Sequence, residues 1–292
     1  MRRTQRHQRS ETRPTPISAN AFARHRSSDA EMIQAAVDLA AQCGGEAVIP
    51  RVNARTGRPV WDIDRSVLLP SEITLVIDNA HLRMADGAVC QMFRNRNAGT
   101  AAGRTEAGTQ RNIRIVGRGG ALLDGGEPNG LNEVTMSQDG RPHVMENLTI
   151  FLHNVVGFAV ENLRIRDQRW WAMACIFCEQ GRIERIEFEL TRHRQDNRAT
   201  WRNQDGIDLR IGCHNILIRD IAGEVGDDLI ALTALSVFEK DWLVAGRSTD
   251  IHHVMIQSIR GVTNMCALVR LLNHGRHRIH DIDIRDVMET SR

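Results

Sequence analysis

The chain has 292 residues, 41% of them hydrophobic, with 12 aromatics in all and no tyrosine, and a formal net charge of +2 at pH 7. That length suits one elongated domain or two ordinary ones, and the apolar content is ample for a core. A charge this close to balance does not mark a nucleic-acid binder.

Residues 1–28 are rich in Arg, Ser, Pro and Thr and read as a disordered basic leader, because such a composition cannot bury a core. No apolar stretch follows Arg2-Arg3, so neither a secretory signal nor a membrane span is visible, and the expected location is cytoplasmic without membrane contact. The remainder, 29–292, reads as one domain.

A helix opens it. Ser28-Asp29-Ala30-Glu31 fits a capping box, Ile33, Ala36, Val37 and Ala40 recur at helical spacing, and Gly44-Gly45 ends the run. Such a helix can cover the first open turn of a repeat structure. Ala47–Pro50 and Leu68–Ile77 read as early strands, and Gly117-Arg118-Gly119-Gly120 and Asp124-Gly125-Gly126 as turns. A phosphate-cradling loop is disfavoured at these glycines because no helix follows them.

Downstream, one pattern returns. Cys213–Ile221, Ile251–Ile259 and Ile279–Val287 place β-branched residues at alternate positions, with weaker copies at Asn112–Ile115, Asn162–Ile165 and Arg185–Phe188. Aligning the copies makes Leu163, Ile186, Ile216, Val254 and Ile282 equivalent, and their uneven steps fit a coil of roughly 22 to 23 residues that carries loop insertions of varying length. Short strands at a recurring spacing predict an all-β fold, a parallel solenoid in which each turn buries its Ile and Val only by stacking on its neighbours. His214, His252 and His280 recur at one repeat position, which fits turn geometry better than ligation. Cys175 and Cys178 form the only C-x-x-C, and no second pair completes a zinc site, so no metal is expected and these thiols read as small core fillers.

Within the coil, Asn203-Gln204-Asp205-Gly206-Ile207-Asp208 precedes Gly226-Asp227-Asp228 by about one turn, bringing two acidic clusters side by side. Paired carboxylates facing one cleft are what glycosidic hydrolysis requires, one as acid and one as base. The bland alternative is that Asp beside Gly merely forms corners. The fourth carboxylate, Asp208, argues against it, since a structural site avoids stacking like charges. Trp170 could stack on a sugar or fill a corner. Thr191–Arg198 reads as a charged loop over the cleft or as a solvated one.

The helix with Gly44-Gly45, Ile49-Pro50, Leu69-Pro70-Ser71, Leu122-Leu123-Asp124-Gly125, Trp170-Trp171, Asn203-Gln204-Asp205-Gly206 and Gly226-Asp227-Asp228, in that order, resemble glycoside hydrolase family 28, the polygalacturonase group of the pectate-lyase-like β-helices. The resemblance spans about residues 28 to 287 and implies a right-handed parallel β-helix with an N-terminal capping helix. It further implies an inverting hydrolase without cofactor, acting on a polysaccharide or oligosaccharide such as a pectin-like, uronic-acid-containing chain. Asp227 would then be the acid, and Asp205 and Asp228 would activate water. Asn203, Asp208, Arg270, His274 and Trp170 are the candidates for holding substrate.

Two departures stand out. The family's Gly-His-Gly and Arg-Ile-Lys motifs are absent, Val269–Gly275 occupying the comparable region, and Gln204 replaces the family's Thr. The chain also stops soon after Val287, which reads as missing C-terminal turns and an uncapped end that could self-associate. A lyase or epimerase on the same fold, or a carbohydrate-binding or structural solenoid without turnover, are the alternatives.

Overall fold

The computed structural model describes residues 15–135, 142–191, 203–235 and 239–290. All sheet pairing among the described residues is parallel. One sheet runs through β1 (Ile17–Ser18), β2 (Glu46–Pro50), β5 (Ile73–Asp78), β8 (Gln110–Arg118), β11 (Val155–Arg166), β13 (Glu179–Glu189), β15 (His214–Val225), β17 (Ile251–Thr263) and β19 (Ile279–Glu289). Short β3 (Val60–Ile63), β6 (His81–Met84) and β9 (Leu122–Asp124) pair alongside it. The second sheet stacks β4 (Val67–Leu69), β7 (Phe93–Asn95), β10 (Ile150–His153), β12 (Met173–Ile176), β14 (Ile207–Leu209), β16 (Ile230–Ala234) and β18 (Val269–Asn273). The chain is a right-handed parallel β-helix.

Single left-handed residues bend the long strands. Glu72, Asn112, Gly157, Gln180, Asn215, His253 and Asp281 stack in one column, and Asn162, Arg185, Asp220, Ser258 and Asp286 in another, all with φ between 53° and 73°. Asn and Asp tolerate this conformation better than other residues with a side chain, which accounts for their recurrence before an aliphatic residue. Because two bends per coil share that signature, sequence spacing confuses them. Ile186 stacks under Ile221 rather than under Ile216, the partner that the repeat pattern suggested, so that coil is longer than expected. The other expected steps agree with the observed register, in the pairs Leu163↔Ile186, Ile216↔Val254 and Val254↔Ile282.

Between the bends, alternate residues face inward. Ile113, Ile115, Val160, Ile183, Ile216, Ile218, Val254 and Ile256 enter one continuous core with Ile207, Leu209, Ile230 and Leu232 of the opposite sheet. Cys175 and Cys178 are buried and reduced core fillers as expected, and Cys213 joins them, Cys178 Sγ donating to Leu152 O at 3.4 Å and Cys213 Sγ to Cys175 O at 3.1 Å.

Helix α1 (Asp29–Cys43) covers the first coil. Ser28 accepts from the Glu31 N–H, and Gly44, at φ 65°, ends the helix. Ala30, Met32, Ile33, Ala36, Val37 and Ala40 bury its inner face. The Gln34 amide accepts from Leu68 N at 2.7 Å and donates to Leu68 O at 3.0 Å, so a side chain replaces the strand partner that terminal β4 lacks.

The expected leader needs correction. Residues 1–14 lie outside the described residues, but Ile17–Ser18 form β1 against Ala47 and Val48, and a 3-10 turn follows at Ala19–Phe22. Ile17, Ala19 and Phe22 are apolar enough to join the core, which composition averaged over the whole leader concealed. The run Leu68–Ile77 also divides, into β4 and β5, at the left-handed bend of Glu72. Among the described residues no helix is long and apolar enough to cross a membrane.

Candidate active site

Four buried carboxylates gather where β14 and β16 begin. Ile207 stacks under Ile230, which places Asp205 beneath Asp228 and Gln204 beneath Asp227. Asp205 and Asp227 are therefore one coil and one residue apart. Relative exposures are 3% for Asp205, 0% for Asp208, 5% for Asp227 and 0% for Asp228, so Asp227 is the nearest to solvent.

Glycine is required here for close approach, not for turning. Neither Gly206 nor Gly226 has a positive φ. A Cβ on Gly206 would lie 2.5 Å from Leu229 O, and one on Gly226 would lie 2.9 Å from Gln204 Cβ. These Asp-Gly pairs do sit in bends ahead of β14 and β16, but close packing between coils rather than a left-handed backbone is what calls for glycine there. Gln204, in place of the family's Thr, donates to Gln168 O at 2.6 Å, and Gln168 Nε2 donates back to Gln204 O at 3.1 Å and to Asp205 O at 3.2 Å. This reciprocal amide pairing fixes the backbone that carries Asp205.

The carboxylates differ in their partners. Asp228 Oδ1 accepts from Ala267 N at 3.1 Å, and its Oδ2 accepts from Arg270 Nη1 at 2.8 Å. Donors therefore reach both of its oxygens. Asp205 Oδ1, by contrast, is buried with no hydrogen-bond partner. Burial first, then the charges of Asp208, Asp227 and Asp228, push the Asp205 carboxyl well above the usual carboxylate range, against the pull of Arg210. Asp208 Oδ1 meets Arg210 Nη1 at 3.4 Å, and the Arg210 guanidinium lies 4.5 Å from the ring centroid of Trp171.

The remaining candidates divide. Arg270 joins the cluster through Asp228, as its sequence position allowed. Asn203 lies at the rim, where its Nδ2 donates to Glu133 Oε1 at 3.1 Å. Trp170 does not offer a sugar platform: it is 1% exposed, stacked on Trp171 at 3.8 Å between centroids, with its indole N–H donating to Glu133 at 3.2 Å. An apolar pocket with a partner for the N–H is the favourable place for an indole, and this one corner supplies both. His274 is also misplaced by expectation. It follows the far end of β18, past Asn273, on the order of 20 Å along the strand from Ala267, which stacks over Asp228. The loop of Thr191–Arg198 lies outside the described residues beyond Thr191 itself.

Sequence reasoning missed Arg210, Glu133 and Cys266. Alternation from Asp208 points Arg210 to the same face and was a usable signal; Glu133 and Cys266 arrive from distant loops with no pattern to reveal them. The ligand atoms of Asp227, Asp228 and Cys266 lie within 4.8 Å of one another. Arg270 already supplies a cation to this group, so the arrangement suits proton chemistry at least as well as a metal.

The chain matches no protein-family model and no curated protein. Solved structures do resemble it. An exopolygalacturonase from Thermotoga maritima superposes with a TM-score of 0.64 at 14% identity, covering 95% of this chain and 67% of that one. A family 28 exopolygalacturonase from Yersinia enterocolitica gives 0.58 at 11%, covering 95% and 66%, and PfbA, a surface adhesin of Streptococcus pneumoniae, gives 0.56 at 14%, covering 84% and 57%. The chain thus spans between 57% and 67% of the length of these three proteins. What the likeness establishes is the fold, a right-handed parallel β-helix of the kind on which these polygalacturonases are built.

Proposed function

We propose that the protein is a glycoside hydrolase that cleaves a polysaccharide or oligosaccharide, including pectin-like, uronic-acid-containing chains, with inversion. The observation that carries this reading is the convergence of Asp205, Asp208, Asp227 and Asp228 from adjacent coils in a buried cluster that raises the Asp205 pKa. Asp227, nearest to solvent, protonates the leaving oxygen. Asp205 takes the proton of the attacking water once it is itself ionised, which its raised pKa confines to the alkaline side of the usual carboxylate range and which makes it the stronger base there. Asp228, held by donors on both oxygens, orients that water as the carbon acquires positive charge. One coil and one residue separate the α-carbons of acid and base by about 6 Å, and diverging side chains can open this to the roughly 6.5–9.5 Å that inversion needs.

A second reading is a carbohydrate-binding β-helix without turnover; a surface adhesin is among the structures that share the fold. A lyase or epimerase is less well supported. It would need a basic group at the cleft, whereas the hydrogen bond to Asp228 raises the Arg270 pKa above its ordinary value and makes it a poorer proton acceptor.

The test is reducing-sugar release across plant and bacterial polysaccharides, with the anomer of the first product read by NMR, beside Asp227→Asn. The expected result is release of the inverted anomer and a loss of about 10²–10⁴-fold in the variant, with sugar affinity retained. No release from any substrate by folded protein, with binding intact, selects the second reading.

A further inference from the structure

Cys266 stands one coil above Asp227, in the turn that leads into β18. Its backbone is tied down: Thr263 Oγ1 donates to Cys266 O at 3.2 Å, and the next residue, Ala267, donates its N–H to Asp228 Oδ1 at 3.1 Å. The thiol is exposed, in contrast to buried Cys175, Cys178 and Cys213, yet its sulfur lies within 4.8 Å of carboxylate oxygens of Asp227 and Asp228. An exposed sulfur fixed against a buried carboxylate at the cleft edge has no packing role to explain it.

We propose that Cys266 is a positioning residue for Asp227, its S–H donating to that carboxyl group from the coil above and holding it at the solvent edge of the cluster. The inference rests on the reading of Asp227 as the acid. During cleavage the proton passes from Asp227 to the glycosidic oxygen as the C–O bond breaks and its electron pair leaves with that oxygen. The thiol keeps its own proton throughout. Its hydrogen bond strengthens as Asp227 becomes charged, so it stabilises the carboxylate left behind and sets how readily the acid gives up its proton. The same contact acts back on the thiol. Chiefly through the Asp227 hydrogen bond, then burial and the charges of Asp227 and Asp228, the Cys266 thiol is pushed up to about 12.

That reciprocity allows a test without turnover. Iodoacetamide labelling, resolved by peptide, would compare the wild-type protein with Asp227→Asn at pH 9, using the buried Cys175, Cys178 and Cys213 as internal reporters of folding. Cys266 should alkylate at least tenfold faster in the variant while the buried thiols stay protected. Equal rates in two folded proteins would overturn the contact. The second arm uses turnover: Cys266→Ala should lower kcat with little change in KM and move the alkaline limb of the pH–rate profile upward, and Cys266→Ser, which retains a donor, should restore both. An unchanged profile in the Ala variant would overturn the positioning role. Absence of turnover in every protein, with the labelling difference intact, would instead count against the hydrolase reading and with it the role assigned to Cys266.

Discussion

The outer face of the long-stranded sheet and the cleft both bury carboxylates, but they treat them differently. On the outer face, Glu161 stacks under Glu184, and guanidiniums from several coils surround them: Arg182 at 3.3 Å, Arg185 at 3.5 Å and Arg114 at 3.8 Å from Glu161, and Arg219 at 2.5 Å from Glu184. At the cleft, Asp205, Asp208, Asp227 and Asp228 share Arg210 and Arg270 among the described residues. A solenoid can stack like charges when cations alternate with them; at the cleft, burial and three neighbouring acids still hold the Asp205 carboxyl above its usual range, a perturbation that acid–base chemistry uses and folding does not need.

The sharpest way to break this contrast is to neutralise one acid from each region. Asp205→Asn should abolish measurable turnover yet raise the melting temperature by about 2–4 °C at neutral pH, because the amide needs no proton, whereas the folded chain must either ionise Asp205 among three acids or take up a proton to keep it neutral. Glu161→Gln should leave turnover intact and destabilise by about 0.5–1 kcal/mol, a modest figure because its three arginines are half-exposed and screened. The pH dependence follows. Asp205 holds its proton more tightly folded than unfolded, so its favourable contribution is complete below the ordinary value of 3.8 and is lost as pH rises toward the folded pKa. Thermal scans from pH 3 upward should show that decline in the wild-type protein and not in Asp205→Asn.

Gly206→Ala tests whether the register makes the cluster. Its Cβ would meet Leu229 O at 2.5 Å, a backbone atom that cannot turn aside, and forcing the coils apart should cost about 1–3 kcal/mol in denaturant unfolding and separate Asp205 from Asp228. Arg270→Met removes the cation from Asp228. The expected loss is about 2 kcal/mol in denaturant unfolding, below that of a fully buried pair because the guanidinium is 40% exposed.

The smallest effect concerns the imidazole column. His214, His252 and His280 stack at 4.6 and 5.1 Å between centroids, as their repeat position suggested. Burial first, then the neighbouring charges of His214, His253 and His280, lower the His252 pKa from 6.5, with Asp250 opposing. Neutral His252 is therefore favoured in the folded state, and stability should be complete above pH 6.5 and decline below it, a slope that His252→Gln would flatten.

Much of the coil was legible because its signals are local. The Ser28 cap, the Gly44 stop and the alternation of Ile and Val each depend on neighbours within a few residues, and the bends select Asn and Asp by backbone conformation alone. The acidic cluster was legible because its two halves lie one uninterrupted turn apart, Ile207 to Ile230. What failed did so where long insertions intervene. The step from Ile186 to Ile221 contains an insertion of unknowable length, and Trp170 and His274 were assigned by motif order without their distance from the cleft.

The one-dimensional pattern determined that this chain would coil, which residues would face its core and which acids would meet, since stacking repeats with a common inward face have one way to bury it. Only the tertiary structure decided the state of those acids. Whether an aspartate ends with two donors, like Asp228, or with an oxygen left without one, like Asp205, depends on side chains brought from coils and loops far away in sequence, and electrostatic energy is set by distance and burial rather than by order along the chain.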